Sequence, residues 1–105
     1  MYIPKVILFL ILASHISIVH SSQASGFDEI CNIYTEAQNS NMPKEQLSEY
    51  IFDNVKKRVN LPEALEAHGS VFHLTPAKRY SIFKKAAEIT LKKTWDCPAI
   101  EALMK

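Results

Sequence analysis

Apolar residues recur at steps of three and four along most of the chain, the spacing of helices laid on a shared core. Phe27, Ile30, Cys31, Tyr34 and Ala37 form the first such stripe. Ser25 can cap that helix, and Asp28 and Glu29 fall in its first turn, where the helix dipole favours anions. Asn39-Ser40-Asn41 ends it with residues that prefer turns. A second helix starts near Pro43, with Leu47, Tyr50, Ile51, Val55 and Val59 on one side and Phe52 on the flank. Its acids Glu45, Glu49 and Asp53 precede Lys56, Lys57 and Arg58, the order that the dipole rewards. Asn60-Leu61-Pro62-Glu63 predicts the start of a short third helix from Leu61 to His68, with Gly69 as its stop. Val71-Phe72-His73-Leu74 reads as a connector that plugs Phe72 or Leu74 into the core. Thr75-Pro76 starts the longest helix, of about 19 residues, by a capping hydroxyl followed by Pro at the first helical position. Tyr80, Phe83, Ala87 and Leu91 share its inner side, with Ala86, Ile89 and Thr90 beside them. Asp96 is expected to cap a last short helix carrying Ala99, Ile100, Leu103 and Met104, with Pro98 in its first turn. No second strand exists for any extended piece to pair with. The pattern predicts an all-α fold, a small bundle or irregular array of four to five helices.

The beginning of the chain follows a different rule. Met1 to Lys5 is positive, and Val6 to Ala13 is eight apolar residues without a break. Ser14, His15 and Ser17 then dilute the run. A positive start, a short apolar core and small residues after it predict a secretory signal peptide over 1–24. The cut is placed after Ala24, with Ser22 completing the small-x-small pattern; Ser21 or Ser22 is the alternative site. An uncleaved anchor would need about 20 apolar residues to span a bilayer, and the interrupted run from Val6 to Val19 is shorter. A lipid anchor would need a Cys just after the run, and the first one is Cys31. The expected product is one helical domain over 25–105, exported to a periplasm or secreted, with no stable transmembrane segment after processing.

Charge divides at the same boundary. All 11 acidic residues and 11 of the 12 lysines and arginines follow residue 24, so the domain is formally neutral. That excludes a strongly basic nucleic-acid binder, and nucleic acid is not an expected partner. The ten aromatic residues exclude a disordered acidic chain. A domain of about 80 residues holds one small core and leaves no room for a multidomain enzyme. Two cysteines in an exported chain predict one disulfide, Cys31 to Cys97, with Trp95 lying over it. Tyr34, Ile51 and Phe83 are expected core residues.

The fourth helix carries Lys78, Arg79, Lys84, Lys85, Lys92 and Lys93 against Glu88 alone. Lys78, Lys85 and Lys92 are seven apart and share one face. Asp28, Glu29, Glu36, Glu63 and Glu66 make the first and third helices acidic. One reading is a solvated face whose charges attract the neighbouring helices. The other is a contact face at Lys78, Lys85 and Lys92 for an anionic surface or an acidic envelope or secreted protein. His68 and His73 are five apart across Gly69, without the i,i+4 spacing that puts two imidazoles on one helix face. Glu63 and Glu66 add no fixed geometry, so a surface or loop role is expected for both histidines, and no metal and no cofactor. Trp95-Asp96-Cys97-Pro98 departs from the Trp-Cys-x-x-Cys thiol site: Asp96 intervenes, and position 100 is Ile. No nucleophile triad, phosphate loop or paired-carboxylate site stands out. The expectation is a non-enzymatic interaction or binding protein; a thiol- or metal-dependent enzyme is the remote alternative.

Arg79-Tyr80-x-x-Phe83-Lys84-x-Ala86-Ala87-Glu88 and Trp95-x-Cys97-Pro98-Ala99 resemble small exported bacterial proteins, a resemblance that carries no activity. In architecture alone the chain is similar to periplasmic acid-stress chaperones, also small, helical, exported and held by one disulfide. That likeness implies a second function, a pH-responsive chaperone that opens at low pH.

Overall fold

Prolines set the starts of the helices. Pro62, Pro76 and Pro98 each occupy the first helical position, where a missing N–H costs nothing, and Pro43 directly precedes the helix that starts at Lys44. The computed structural model describes residues 26–105. The predicted signal peptide, its cleavage site and the Ser25 cap lie outside the described residues. Among the described residues the five helices are α1 (26–39), α2 (Lys44–Arg58), α3 (Pro62–Val71), α4 (Pro76–Leu91) and α5 (Pro98–Leu103). Among the described residues there is no strand, and no helix is long and apolar enough to cross a membrane.

Helix ends depart from the sequence expectation. α2 to α5 have no side-chain cap hydrogen bond. Leu61, not Asn60, is the cap residue of α3, and Thr75 precedes α4 with its hydroxyl unused for capping. Asp96 does not cap α5: Cys97 holds that position, and the Asp96 carboxylate accepts the Tyr80 hydroxyl proton at 2.7 Å instead. Gly69 does not stop α3, which continues to Val71. Val71 is buried, α3 packs directly on α4, and Gly69 is exposed. That burial outweighs the cost of about 1 kcal/mol for a glycine inside a helix. α4 is 16 residues long rather than about 19, because Lys92 turns into the left-handed region (φ 57°) and ends it. Asn41, also left-handed (φ 59°), sits in the turn between α1 and α2.

The core lies between α1 and the helices around it. Phe27, Ile30, Ile33 and Tyr34 on α1 are buried, with Ile51 and Val55 of α2, Phe83 and Ala87 of α4, and Ile100 of α5. Phe27, Phe83 and Trp95 form an aromatic triangle with ring centroids 5.4–6.1 Å apart. Offset and edge-on arrangements at such distances add about 0.5–1.5 kcal/mol per pair beyond burial. Gly26 lies against Leu61, where a Cβ would stand 2.5 Å from the Leu61 Cβ, so α1 and the α2–α3 connector approach closely because Gly has no side chain.

Polar contacts lock the ends of this array. Arg58 at the end of α2 donates to Glu29 (2.7 Å) and to both oxygens of Glu36 (2.7 and 2.9 Å) on α1. The Glu36 carboxyl is held down to about 2 by that guanidinium and the Tyr50 hydroxyl. The Trp95 indole N–H donates to Asp28 (3.0 Å) and its backbone N–H to Glu88 (3.1 Å). The Cys97 backbone N–H donates to the Tyr80 hydroxyl at 3.0 Å. The Cys31–Cys97 disulfide then ties α1 to the start of α5 across 66 residues, with Cα atoms 5.9 Å apart.

Candidate functional site

α4 turns one side to the core and leaves the other to solvent. Phe83 and Ala87 are buried, and Tyr80 and Leu91 half-buried, which fixes the helix's rotation. At about 100° per residue, positions 78, 82, 85 and 89 then fall together on the outer side. Lys78 and Lys85 are exposed there, and so are Ile82 (46%) and Ile89 (69%). Lys92 is exposed at the helix's C-cap and closes the series. Lysine and isoleucine thus alternate along the outer face. The sequence pattern placed Ile89 beside the core side; the observed rotation turns it outward. The signal for both isoleucines was present, since they lie four residues after Lys78 and Lys85.

These lysines are not neutralised by neighbouring helices. The acids Glu29 and Glu36 of α1 are taken by Arg58 of α2. Among the described residues, Lys78, Lys85 and Lys92 form no ion pair.

The two histidines part company. His73 is exposed. His68 is 2% exposed, contrary to the surface or loop role expected of it. Ala64, His68 and Val71 are the buried side of α3, at steps of four and three, and that periodicity was the available clue. Its ring lies among Tyr34, Phe52, Phe72 and Phe83, with centroids 5.2–6.1 Å away. Nε2 shares a hydrogen bond of 2.7 Å with the Tyr34 hydroxyl. Burial pushes the imidazole down to about 4 and the Tyr34 phenol well above its ordinary range. Both are therefore neutral at pH 7.

The other expected positions are simply placed. Cys97 is fully buried and bonded to Cys31, so neither presents a free thiol. Trp95 packs on Phe27 and Phe83 and belongs to the core between α1 and α4. Tyr34, Ile51 and Phe83 are buried. Phe72 is half-buried against Phe52 at 4.9 Å, while Leu74 is exposed. Glu63 and Glu66 are exposed, and among the described residues no three His, Cys, Asp or Glu side chains converge on a metal-sized site. No family model, no curated protein and no solved structure matches the chain.

Proposed function

We propose that the chain is an exported, non-enzymatic interaction protein that docks through the outer face of α4 onto an anionic surface. The observation that carries this reading is the row Lys78, Ile82, Lys85, Ile89 and Lys92, with both isoleucines exposed between unpaired lysines. Isolated exposed apolar residues are ordinary, but alternation with like charges along one helix face is the pattern of interfacial binding. The lysines meet headgroup charge and the isoleucines enter the headgroup boundary. Each lysine near an anionic leaflet contributes about 1 kcal/mol, so three supply roughly a hundredfold in partitioning. Export with removal of 1–24 is part of the proposal, leaving 25–105 as one domain in a periplasm or outside the cell. The Cys31–Cys97 bond supports an oxidising compartment.

Cosedimentation with phosphatidylglycerol vesicles tests the docking face, with phosphatidylcholine vesicles as the neutral control. The protein should partition to the anionic vesicles and be released by salt. Lys78→Glu, Lys85→Glu and Lys92→Glu combined should lower partitioning by about a hundredfold. Ile82→Ser with Ile89→Ser should weaken it at constant salt dependence, and neither set should change the melting curve. Equal binding by the triple variant would sink the face; no preference for anionic vesicles would sink the surface.

A second reading is favoured by His68. A pH-responsive stress chaperone needs a buried group that charges on acidification, and His68 inside its aromatic cage is one. Fluorescent apolar-dye binding between about pH 7 and pH 4 distinguishes this reading. A flat response removes it.

A further inference from the structure

A concave surface lies apart from the lysine–isoleucine row. The first half of α2, Phe72 after α3, Arg79 of α4 and the end of α5 surround an open cleft of about 390 Å³. Small-molecule sites range over about 300–1,000 Å³, so this one has room for a single slender ligand. Its walls are apolar, chiefly Leu47, Ile51, Phe52, Phe72 and Leu103.

Its side-chain charges have one sign. Lys44, Arg79 and Lys105 line the cleft, and no described Asp or Glu side chain does. The Lys105 ammonium is offset by that residue's own α-carboxylate, which leaves Lys44 and Arg79. Arg79 stands over the Phe72 ring, its guanidinium carbon 5.1 Å from the centroid. Its Nε–H donates to the Leu74 carbonyl at 3.3 Å and Nη1 to the Met104 carbonyl at 3.5 Å. A guanidinium has five N–H donors in a rigid fork, and two long bonds to carbonyls leave most of that capacity open. Among the described residues no carboxylate pairs with it. The second contact also fixes the end of the chain as one wall of the cleft.

An apolar trough with two uncompensated cations at its edge is complementary to a ligand that has both an apolar chain and an anionic head. The volume holds about one such chain, so a diacyl lipid would leave most of its apolar part outside the cleft. A planar carboxylate matches the two parallel donors of a guanidinium. We propose that this cleft binds a single-chain carboxylate. Its chain lies against Phe52, Phe72 and Leu103, and its head is held by Arg79, with Lys44 adding to the positive field. The lysine–isoleucine row of α4 takes no part, so this site stands or falls independently of the docking face.

Isothermal titration with dodecanoate, dodecanol and dodecyltrimethylammonium, three probes with the same chain, tests the assignment. Dodecanoate should bind at least about tenfold more tightly than dodecanol, the effect of one charge-assisted contact, and the ammonium should give no signal. Arg79→Gln should erase the preference for dodecanoate. Lys44 is the exposed first residue of α2, so Lys44→Glu leaves the fold intact and should weaken dodecanoate several-fold even if Arg79→Gln disturbs Phe72. The Lys78, Lys85 and Lys92 charge reversals should leave dodecanoate affinity unchanged. Equal affinity for dodecanoate and dodecanol would overturn the anionic head. Absence of dodecanoate binding, or a preference unmoved by Lys44→Glu, would overturn the site itself.

Discussion

Replacing Cys31 and Cys97 together with alanine should cost about 4 kcal/mol of stability, the loop-closure value for a bridge that spans 66 residues. Against the 5–15 kcal/mol or so that holds an ordinary small domain, this is a large share. In a domain of this size it corresponds to a fall of about 20 °C in melting temperature. The loss should be uneven. α5 has only six residues, too few to persist as a helix on its own. Ala99, Ile100 and Met104 nevertheless reach the core, and the bridge at the first residue before α5 keeps them there. Alanine is the right substitution, because a serine at the fully buried Cys97 would add an unpaired hydroxyl. Thermal and urea unfolding of the double variant, with amide exchange over α5, measure both effects. A drop of only a few degrees with α5 still protected would mean that the Tyr80, Asp96 and Trp95 hydrogen bonds hold the end of the chain unaided.

Much of this architecture is written in the chain by simple periodicity. The stripes at 27–37, 51–59 and 83–87 gave the helices their inner faces, and the pairing of the only two cysteines followed from their number. What periodicity does not contain is competition between partners. Asp96 is an ordinary capping residue until the Tyr80 hydroxyl, 16 positions away, takes its carboxylate. Gly69 reads as a stop until the burial of Val71 carries α3 past it. His68 reads as polar although its steps of four and three from Ala64 and Val71 hint at an inner position, and the rings of Tyr34, Phe52, Phe72 and Phe83 are what enclose it. The candidate docking face was legible in its charges; its isoleucines carried the matching spacing, but their outward direction depends on the rotation of α4, which Phe83 and Ala87 set against the core. The cleft needed at least four separate segments to meet, and no local spacing announces that.

Acidification should destabilise the protein through His68 before any carboxylate acts. The ring is enclosed by Tyr34 of α1, Phe52 of α2, Phe72 after α3 and Phe83 of α4, with the Arg79 guanidinium over the Phe72 ring. No carboxylate faces it among the described hydrogen-bond and ion-pair partners, so nothing there compensates a positive imidazole. Burial lowers its folded value to about 4, while the unfolded chain titrates near 6.5. Above 6.5 both states are neutral at this position and stability is flat. Between 6.5 and 4 the unfolded state binds a proton that the folded state refuses, so stability falls as pH falls. At 1.36 kcal/mol per unit the loss reaches about 3 kcal/mol by the bottom of that window. Glu36 acts lower. Its depressed carboxyl supports the fold above about 4.5, and that support disappears as pH falls towards 2, so the two groups leave separate marks on the curve. Urea midpoints taken across both windows should show the first decline in the wild type and none in His68→Gln, which keeps a polar group opposite the Tyr34 hydroxyl without titrating. The variant starts from a lower plateau, and the diagnostic quantity is the slope between 6.5 and 5, above the range in which Glu36 acts. A slope that persists unchanged in His68→Gln would assign the acid response to other groups and withdraw the feature that favours an acid-opened state.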